Sequence, residues 1–220
     1  MIQLFPSLIA ANLLNLEKEI TQLDPYVDGY HLDVMDFHFV PNLTIGPDTI
    51  NAIRAATEKL LYVHLMVEYP ERYFERLQLR HGDIVAIHPE SPSEMPLDKL
   101  ITLISSHGWT PCVALNPETP ASILEKISAP LNHLLLMSVN PGFSGQQFMP
   151  LVLLKLKEAI SIGRAANNPY VIAVDGGINQ ENVEALVKDG ADQLIIGSAL
   201  FSQHNPVFAI KALRSSLVVR

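Results

Sequence analysis

The chain has 220 residues, of which 48% are hydrophobic and 17% are charged, and its formal net charge at pH 7 is -8. This apolar content excludes disorder for most of the chain, and the length suits one sizeable domain, which we place at 1–220. Because nucleic acids and anionic membranes attract basic surfaces, the acidic balance argues against both as the main partner. A small anionic substrate remains compatible, since backbone amides or a metal ion can hold it locally.

The compartment is predicted from the N-terminus and the cysteine content. Cys112 is the single cysteine, so no disulfide forms within the chain and a reducing compartment is expected. The apolar N-terminal segment has no early basic residue and is interrupted by Pro6, which argues against a signal peptide. No run approaches the ~18 apolar residues that a membrane span requires. We therefore expect a cytoplasmic protein.

Short apolar runs alternate with segments of helical period along the whole chain. The predicted strands are Leu4–Ile9, Gly29–Val34, Leu61–Val67, Ile84–His88, Pro111–Leu115, Leu134–Val139, Tyr170–Val174 and Gln193–Ile196. The predicted helices are Leu16–Leu23, Asp48–Thr57, Pro70–Leu79, Leu97–His107, Pro120–Ile127, Pro150–Arg164, Gln180–Asp189 and Pro206–Leu217. This alternation predicts a (β/α)8 TIM barrel. An open doubly wound sheet is the alternative, because periodicity alone does not close a barrel.

Three of these strands carry polar side chains inside apolar runs. His31 and Asp33 lie in the second strand, His64 lies in the third, and Asp175 ends the seventh. Burial of an unpaired carboxylate or imidazole is costly, so the four side chains either form separate hydrogen bonds or bind a metal together. The mixture of nitrogen and oxygen donors suits Zn²⁺, Fe²⁺, Mn²⁺ or Co²⁺ better than Mg²⁺ or Ca²⁺. The sequence therefore predicts one divalent metal ion.

Glycine-rich turns follow the last three strands, at Asn140–Gln146, Asp175–Gly177 and Gly197–Ser198. Glycine lets the backbone approach a ligand closely and leaves N–H groups free to point at it. Because the loops after strands seven and eight of a barrel often bind phosphate, these turns predict a phosphate site, although glycine is also ordinary in turns. The segment from Asn140 to Phe148 is long enough to act as a lid.

The methionines and the remaining histidines indicate a functional site less specifically than the four polar strand residues do. The methionines that belong either to the core or to a polarisable wall over the reacting carbons are Met35, Met66 and Met137. The histidines that we interpret as surface or structural residues are His38, His81, His107, His133 and His204. His88, in the segment IHPES at the end of the fourth strand, is left open.

A metal between two carboxylates on a phosphate-binding barrel suits proton abstraction next to a carbonyl group. Asp33 and Asp175 come from strands that lie well apart around a barrel, so they could approach a planar enediolate from opposite faces. One carboxyl would remove a proton as a base, and the other would return a proton as an acid. The pattern therefore predicts an epimerisation that inverts one stereocentre.

Nearly the whole chain resembles the ribulose-phosphate 3-epimerase family. The motifs that carry this resemblance are PSLIAANLLNL, HLDVMDFHFVPN, VHLMVEYPERY, IHPES, ALNPETP, LMSVNPGFSGQQF, AVDGGIN and GADQLIIGSALF. The resemblance implies a (β/α)8 barrel with one divalent metal that interconverts D-ribulose 5-phosphate and D-xylulose 5-phosphate.

The resemblance also implies roles for individual residues. The implied metal ligands are His31, Asp33, His64 and Asp175, with Asp33 as the proton acceptor and Asp175 as the proton donor. The residues that match substrate or phosphate contacts are Ser7, His64, Gly142, Phe143, Ser144, Gly145, Asp175, Gly176, Gly177, Gly197 and Ser198. The residues that match a hydrophobic cap over the intermediate are Met35, Met66 and Met137.

Two positions depart from the family pattern. Phe37 replaces a glycine in a segment that usually reads MDGHF, and a phenylalanine there is strained if the position requires positive φ. Tyr62, two residues before His64, replaces an often acidic residue, so a partner of the metal ligands would be missing. These departures bear on rate, substrate preference or subunit contacts more than on the class of reaction.

Three alternative functions stay open at the level of the sequence. One is an epimerase for a longer ketose phosphate, such as allulose 6-phosphate. The second is a decarboxylase or Schiff-base aldolase, which the position of the lysines in helices or their flanks disfavours. The third is a barrel that binds a sugar phosphate with weak or no turnover because Phe37 blocks the site. Exposed apolar residues could form a homo-oligomer interface.

Overall fold

The computed structural model describes residues 2–218. Its strands are β1 (Gln3–Pro6), β2 (Gly29–Met35), β3 (Leu60–Met66), β4 (Ile84–Ile87), β5 (Thr110–Leu115), β6 (His133–Met137), β7 (Val171–Asp175) and β8 (Gln193–Ile196). Its α-helices are α1 (Leu16–Leu23), α2 (Pro47–Ala56), α3 (Glu71–Phe74), α4 (Leu97–Ser106), α5 (Leu151–Ala165), α6 (Val183–Asp189), α7 (Ser198–Phe201) and α8 (Pro206–Val218).

All eight strands belong to one parallel sheet in the order β1-β8-β7-β6-β5-β4-β3-β2. Its two ends meet, because Ser7 and His31 form a parallel bridge and the Asp28 N–H donates to the Leu4 carbonyl at 3.1 Å. The predicted (β/α)8 TIM barrel is therefore confirmed, and the open doubly wound sheet is wrong. Within residues 2–218, no helix combines the length and apolar character that a membrane crossing requires.

Side chains alternate between two buried layers along each strand, as the pleat of a β-strand requires. One layer fills the barrel and is built from small and aromatic residues such as Phe5, Tyr62, Ala86 and Ala173. The other layer packs the strands against the helices and is dominated by Leu, Ile and Val. The polar residues of interest lie in the first layer, at the carboxyl ends of the strands, so they face the mouth of the barrel.

Three predicted elements differ most from the structure, and α7 is an additional short helix that the periodicity does not predict. The first strand ends at Pro6 and passes into a 3-10 turn at Leu8–Ala10. The segment after β5 is a 3-10 helix at Ala121–Lys126. Just beyond its end, the backbone N–H groups of Ser128 and Ala129 donate to the Asp98 carboxylate. The predicted helix at Pro70–Leu79 is α-helical only over α3, because the Asn51 side chain pairs with the backbone of Arg76 and Gln78. Local periodicity does not reveal these long-range contacts.

A buried ion pair joins α2 to the amino ends of β3 and β4, on the side of the barrel opposite to the mouth. Nη1 of Arg54 donates to both carboxylate oxygens of Asp83, at 2.9 and 3.0 Å. The same carboxylate accepts the backbone N–H groups of Leu61 and Arg80, each at 2.8 Å. Residues at this end of a parallel barrel serve stability and not chemistry.

Candidate active site and metal centre

The register of the strands brings the four predicted metal ligands together. Asp33 of β2 lies directly beside His64 of β3, and paired positions of adjacent parallel strands point the same way. His31 lies two residues before Asp33 on the same face, and Asp175 reaches the group from the end of β7. One ligand atom from each of the four side chains lies within 4.8 Å of the others.

The distances inside this group leave room for a cation. Nδ1 of His31 lies 3.3 Å from Oδ2 of Asp33, and its Nε2 lies 4.0 Å from Oδ2 of Asp175. Nδ1 of His64 lies 3.5 Å from Oδ1 of Asp33 and 3.9 Å from Oδ2 of Asp175. Among residues 2–218, no hydrogen-bond partner satisfies Nε2 of His31 or Nδ1 of His64, although both atoms are buried. Since an unsatisfied buried polar group costs about 1–3 kcal/mol, the group fits a divalent cation.

The two carboxyl groups have opposite acidities in the apo chain. Burial by itself would raise the pKa of Asp33, but His31 and His64 outweigh it and hold the pKa of this carboxyl well below its usual range. Burial raises the pKa of Asp175 to about 7, with His31 opposing the rise and the charge of Asp33 adding to it. Because one carboxyl is ionised and the other can hold a proton near neutral pH, the pair matches a base and an acid.

The imidazoles respond differently to the same surroundings. Burial lowers the pKa of His64 to about 3, although Asp33 opposes this change. Burial also acts to lower the pKa of His31, but the charges of Asp33 and Asp175 and the hydrogen bond to Asp33 outweigh it and raise the pKa. His64 is therefore neutral at physiological pH, the form in which imidazole binds metals.

Ser7 and Thr44 hold Asp33 in place. The Ser7 hydroxyl donates to Oδ2 of Asp33 at 2.6 Å, and the Thr44 hydroxyl donates to the Asp33 carbonyl oxygen at 2.5 Å. Ser7 also borders the pocket above the site. Its predicted role as a substrate contact is thus compatible with a second role, which is to orient the Asp33 carboxylate.

One pocket above the four ligands collects most of the predicted substrate contacts. Its lining includes Ser7, Asp33, Met35, Met66, Met137, Gly142, Phe143, Ser144, Gly145, Asp175, Gly176, Gly177, Gly197 and Ser198. His31 and His64 lie beneath it and are fully buried. The structure thus brings the predicted residues to one place, and their roles remain predictions.

The loop after β6 closes one side of the pocket. The Asn42 side-chain amide donates to the Gly142 carbonyl at 2.6 Å, which ties this loop to the loop after β2. Gln146 ties the loop to itself, because its amide donates to the carbonyls of Asn140 at 2.6 Å and Phe143 at 2.9 Å. Asn42 is not identified by sequence reasoning, and its partner is 100 residues away.

Gly177 is required where β7 turns towards the pocket. Its φ is +62°, and an added Cβ would lie 2.6 Å from the backbone nitrogen of Phe148. The turn therefore packs backbone against backbone beneath the loop after β6. Only glycine permits this approach together with the left-handed conformation.

The two departures from the family pattern have clear structural consequences. Phe37 has φ of +65°, so the position does require the conformation that disfavours a phenylalanine. Its side chain is 65% exposed and does not line the pocket, which argues against the alternative that it blocks the site.

Tyr62 is fully buried, with its hydroxyl 2.9 Å from Sγ of Cys112 and its ring 5.2 Å from that of His31. Tyr62 therefore offers an aromatic neighbour to His31, where a carboxylate would offer a charge.

Replacing Phe37 with glycine is expected to raise the free energy of unfolding by up to about 1.5 kcal/mol. Relief of the left-handed conformation is worth ~1–2 kcal/mol, and the greater freedom of glycine in the unfolded chain offsets roughly 0.5–1 kcal/mol of this. Urea unfolding measures the difference. Asn167→Gly is the matched control, because Asn167 has φ of +53° but asparagine tolerates this region. Destabilisation by Phe37→Gly would show that the exposed ring contributes more than its conformation costs.

Further side chains lie behind His64, and sequence reasoning identifies only part of them. Nε2 of His64 lies 2.8 Å from Nε2 of His88, and Nδ1 of His88 lies 3.3 Å from Oε2 of Glu90. The sequence leaves the role of His88 open and does not single out Glu90. The only signal for both is a histidine and an acidic residue two positions apart at the end of β4.

Comparisons with known proteins place the sequence in a family. Residues 3–201 match the model of the ribulose-phosphate 3 epimerase family. The ribulose-phosphate 3-epimerase of Bacillus subtilis is 39% identical, with 98% of this chain and 100% of the relative aligned. The corresponding Synechocystis protein is 38% identical over 96% of this chain and 92% of its own length.

The solved structures support the fold independently. The 3-hexulose-6-phosphate synthase from Salmonella typhimurium superposes with a TM-score of 0.69, at 18% identity and over 99% of this chain and 99% of that one. At this identity the likeness concerns the barrel alone. The family match and the sequence identities show more: this chain is an isomerase that belongs to the ribulose-phosphate 3-epimerase family.

Proposed function

We propose that the chain, as one barrel domain over residues 1–220, inverts C3 of D-ribulose 5-phosphate to give D-xylulose 5-phosphate. The observation that carries the proposal is the convergence of His31, Asp33, His64 and Asp175, with one carboxyl ionised and the other able to hold a proton. Membership of the family supports the choice of substrate.

Asp33 and Asp175 move the protons. The ionised Asp33 removes the proton from C3, and the electron pair of the broken C–H bond moves towards the neighbouring carbonyl. The protonated Asp175 then delivers a proton to the opposite face of the planar carbon. When bound by His31, Asp33, His64 and Asp175, a divalent cation (zinc, iron(II), manganese or cobalt) supplies Lewis-acid stabilisation of the negative charge that develops.

The rest of the pocket binds the substrate and excludes water. Gly176, Gly177, Gly197 and Ser198 lie together in the pocket lining and are proposed to hold the phosphate through backbone N–H groups. The proposed cap over the planar carbon consists of Met35, Met66 and Met137. Because water competes for protons, an apolar cover favours proton transfer between C3 and the two carboxyls.

An assay with both candidate sugars tests the proposal. The metal-supplemented chain is expected to convert D-ribulose 5-phosphate faster than D-allulose 6-phosphate, measured as kcat/KM for each. A higher kcat/KM with D-allulose 6-phosphate would favour the longer ketose phosphate. Thermal stabilisation by the sugar phosphates without turnover would instead favour a binding protein.

The Schiff-base alternative receives no support from the site. No lysine of residues 2–218 lines the pocket. Lys155 is buried, but its ammonium donates to the carbonyls of Asn116 and Pro117, at 2.5 and 2.8 Å.

A cytoplasmic location and homo-oligomer formation remain predictions. The exposed side chains of Leu14 (94%) and Leu43 (68%) are candidates for a subunit interface. Light scattering, which measures the mass of the particle in solution, would test whether the chain forms a homo-oligomer.

A further inference from the structure

A chain of contacts runs from the buried His64 through the buried His88 to Glu90, which borders the solvent. Nε2 of His64 lies 2.8 Å from Nε2 of His88, and the two rings stack with centroids 5.0 Å apart. His88 is 1% exposed, and its other ring nitrogen lies 3.3 Å from Oε2 of Glu90. Among the described residues, no group meets hydrogen-bond geometry at this nitrogen, so the Glu90 carboxylate at 3.3 Å is the charged group that faces it.

The far end of the chain is a carboxylate that can only accept hydrogen bonds. Oε1 of Glu90 accepts the backbone N–H of Asn116 at 3.1 Å and the hydroxyl of Thr119. These contacts come from the loop after β5 and leave Oε2 for His88. Burial acts to raise the pKa of Glu90, but the hydrogen bonds from His88 and Thr119 outweigh it and lower the pKa, so the side chain is ionised at neutral pH.

The positions of the protons on the two histidine rings follow from Glu90. Since Glu90 can only accept, Nδ1 of His88 carries the proton, and in the neutral ring Nε2 then holds a lone pair. Of the two Nε2 atoms that face each other, one must donate. His64 therefore carries its proton on Nε2, and its Nδ1 holds a lone pair that faces Asp33 and Asp175.

The reverse pattern is costly. A proton on Nδ1 of His64 would leave its Nε2 as an acceptor, and His88 would then have to donate through Nε2. His88 would either direct a lone pair at the Glu90 carboxylate or carry a second proton, and with it a positive charge, on a buried ring. Both states carry an electrostatic penalty in a buried site. The proposed pattern turns the Nδ1 lone pair of His64 towards the Asp33 carboxylate at 3.5 Å in the metal-free chain, and the Ser7 hydroxyl and the His31 ring, which already face Asp33, reduce that penalty.

We infer that His88 is a positioning residue: held by Glu90, it fixes His64 as the Nε2–H tautomer and so leaves the Nδ1 lone pair for the metal. The inference rests on the proposed function only in taking His31, Asp33, His64 and Asp175 as the metal site. Partners of this kind fix the tautomer and orientation of a ligand, and their loss typically weakens metal binding by roughly 10- to 100-fold. The carboxylate that this chain lacks at Tyr62, where the family pattern is often acidic, thus has a counterpart in Glu90 on the loop after β4.

The apo chain tests the inference without any substitution. Two-bond ¹H–¹⁵N NMR of the metal-free protein is expected to show His64 protonated on Nε2 and His88 protonated on Nδ1, which are opposite tautomers in two stacked rings. A proton on Nδ1 of His64, or protons on both nitrogens of His88, would overturn the inference.

Variants test its consequence with Co²⁺ as the probe, through its affinity and visible absorption spectrum. His88→Leu removes the acceptor and is expected to weaken Co²⁺ binding by roughly 10- to 100-fold. His88→Gln is expected to restore most of the affinity, because its amide oxygen can accept from Nε2 of His64. The matched control is Glu94→Gln, since Glu94 pairs with Arg72 at the surface. Original affinity in a folded His88→Leu variant would also overturn the inference.

Neither readout depends on turnover. Opposite tautomers and weakened Co²⁺ binding in a chain that converts neither sugar would support the positioning role and refute the proposed function. Turnover of D-ribulose 5-phosphate by a chain with the reverse tautomers would refute the positioning role alone. If His88→Leu does not fold, the spectrum of the unaltered apo chain decides.

Discussion

Asp33→Asn and Asp175→Asn are each expected to lower epimerase turnover by roughly 10²- to 10⁴-fold, the usual contribution of a positioned acid or base. Asparagine is close to aspartate in size, so the barrel keeps its packing. An amide, however, neither accepts a proton from carbon nor returns one. Turnover is measured with metal-loaded protein, because both residues are also proposed ligands and the metal content of each variant must be known.

Proton exchange in D₂O separates the two roles. Asp33 is proposed to act on D-ribulose 5-phosphate and Asp175 on D-xylulose 5-phosphate. The Asp175→Asn variant should therefore exchange the C3 proton of D-ribulose 5-phosphate faster than that of D-xylulose 5-phosphate, and Asp33→Asn should show the opposite preference. Equal exchange of both epimers by one variant would contradict the assignment of the two faces. Near-normal turnover in either variant would refute the two-acid mechanism itself.

The second large effect concerns stability and lies at the opposite end of the barrel. Arg54→Ala is expected to lower the free energy of unfolding by about 3–5 kcal/mol, because it leaves the buried charge of Asp83 without its partner. Arg54 also donates to the carbonyl oxygens of Thr57 and Lys59, so the substitution loosens the turn between α2 and β3 as well. Urea unfolding measures the change.

Arg76→Ala is the matched control for Arg54. Arg76 pairs with Asp48 at 3.2 Å, but the two side chains are 63% and 90% exposed. Exposed pairs contribute about 0–1 kcal/mol, so this variant should unfold close to the original chain. A loss below about 1 kcal/mol for Arg54→Ala would show that water or a rearranged partner satisfies Asp83.

Much of the site could be predicted because its residues contradict their surroundings. His31, Asp33, His64 and Asp175 are polar residues in apolar strands, and such residues are costly to bury without a common purpose. The pleat and the parallel barrel then place them on one face at one end. The protonation states of the two carboxyls could not be predicted in this way, since the raised pKa of Asp175 depends on burial and on the charge of Asp33 nearby.

The alternation of strands and helices, the side on which each strand is polar, and the types of ligand are all properties of the amino-acid sequence. They follow from local periodicity and from the chemistry of single residues. The closure at Ser7 and His31, the link from Asn42 to Gly142, and the place of Glu90 behind His88 are instead properties of the folded barrel. Each of these depends on how loops and strands are placed when the barrel closes, and no local pattern encodes that placement.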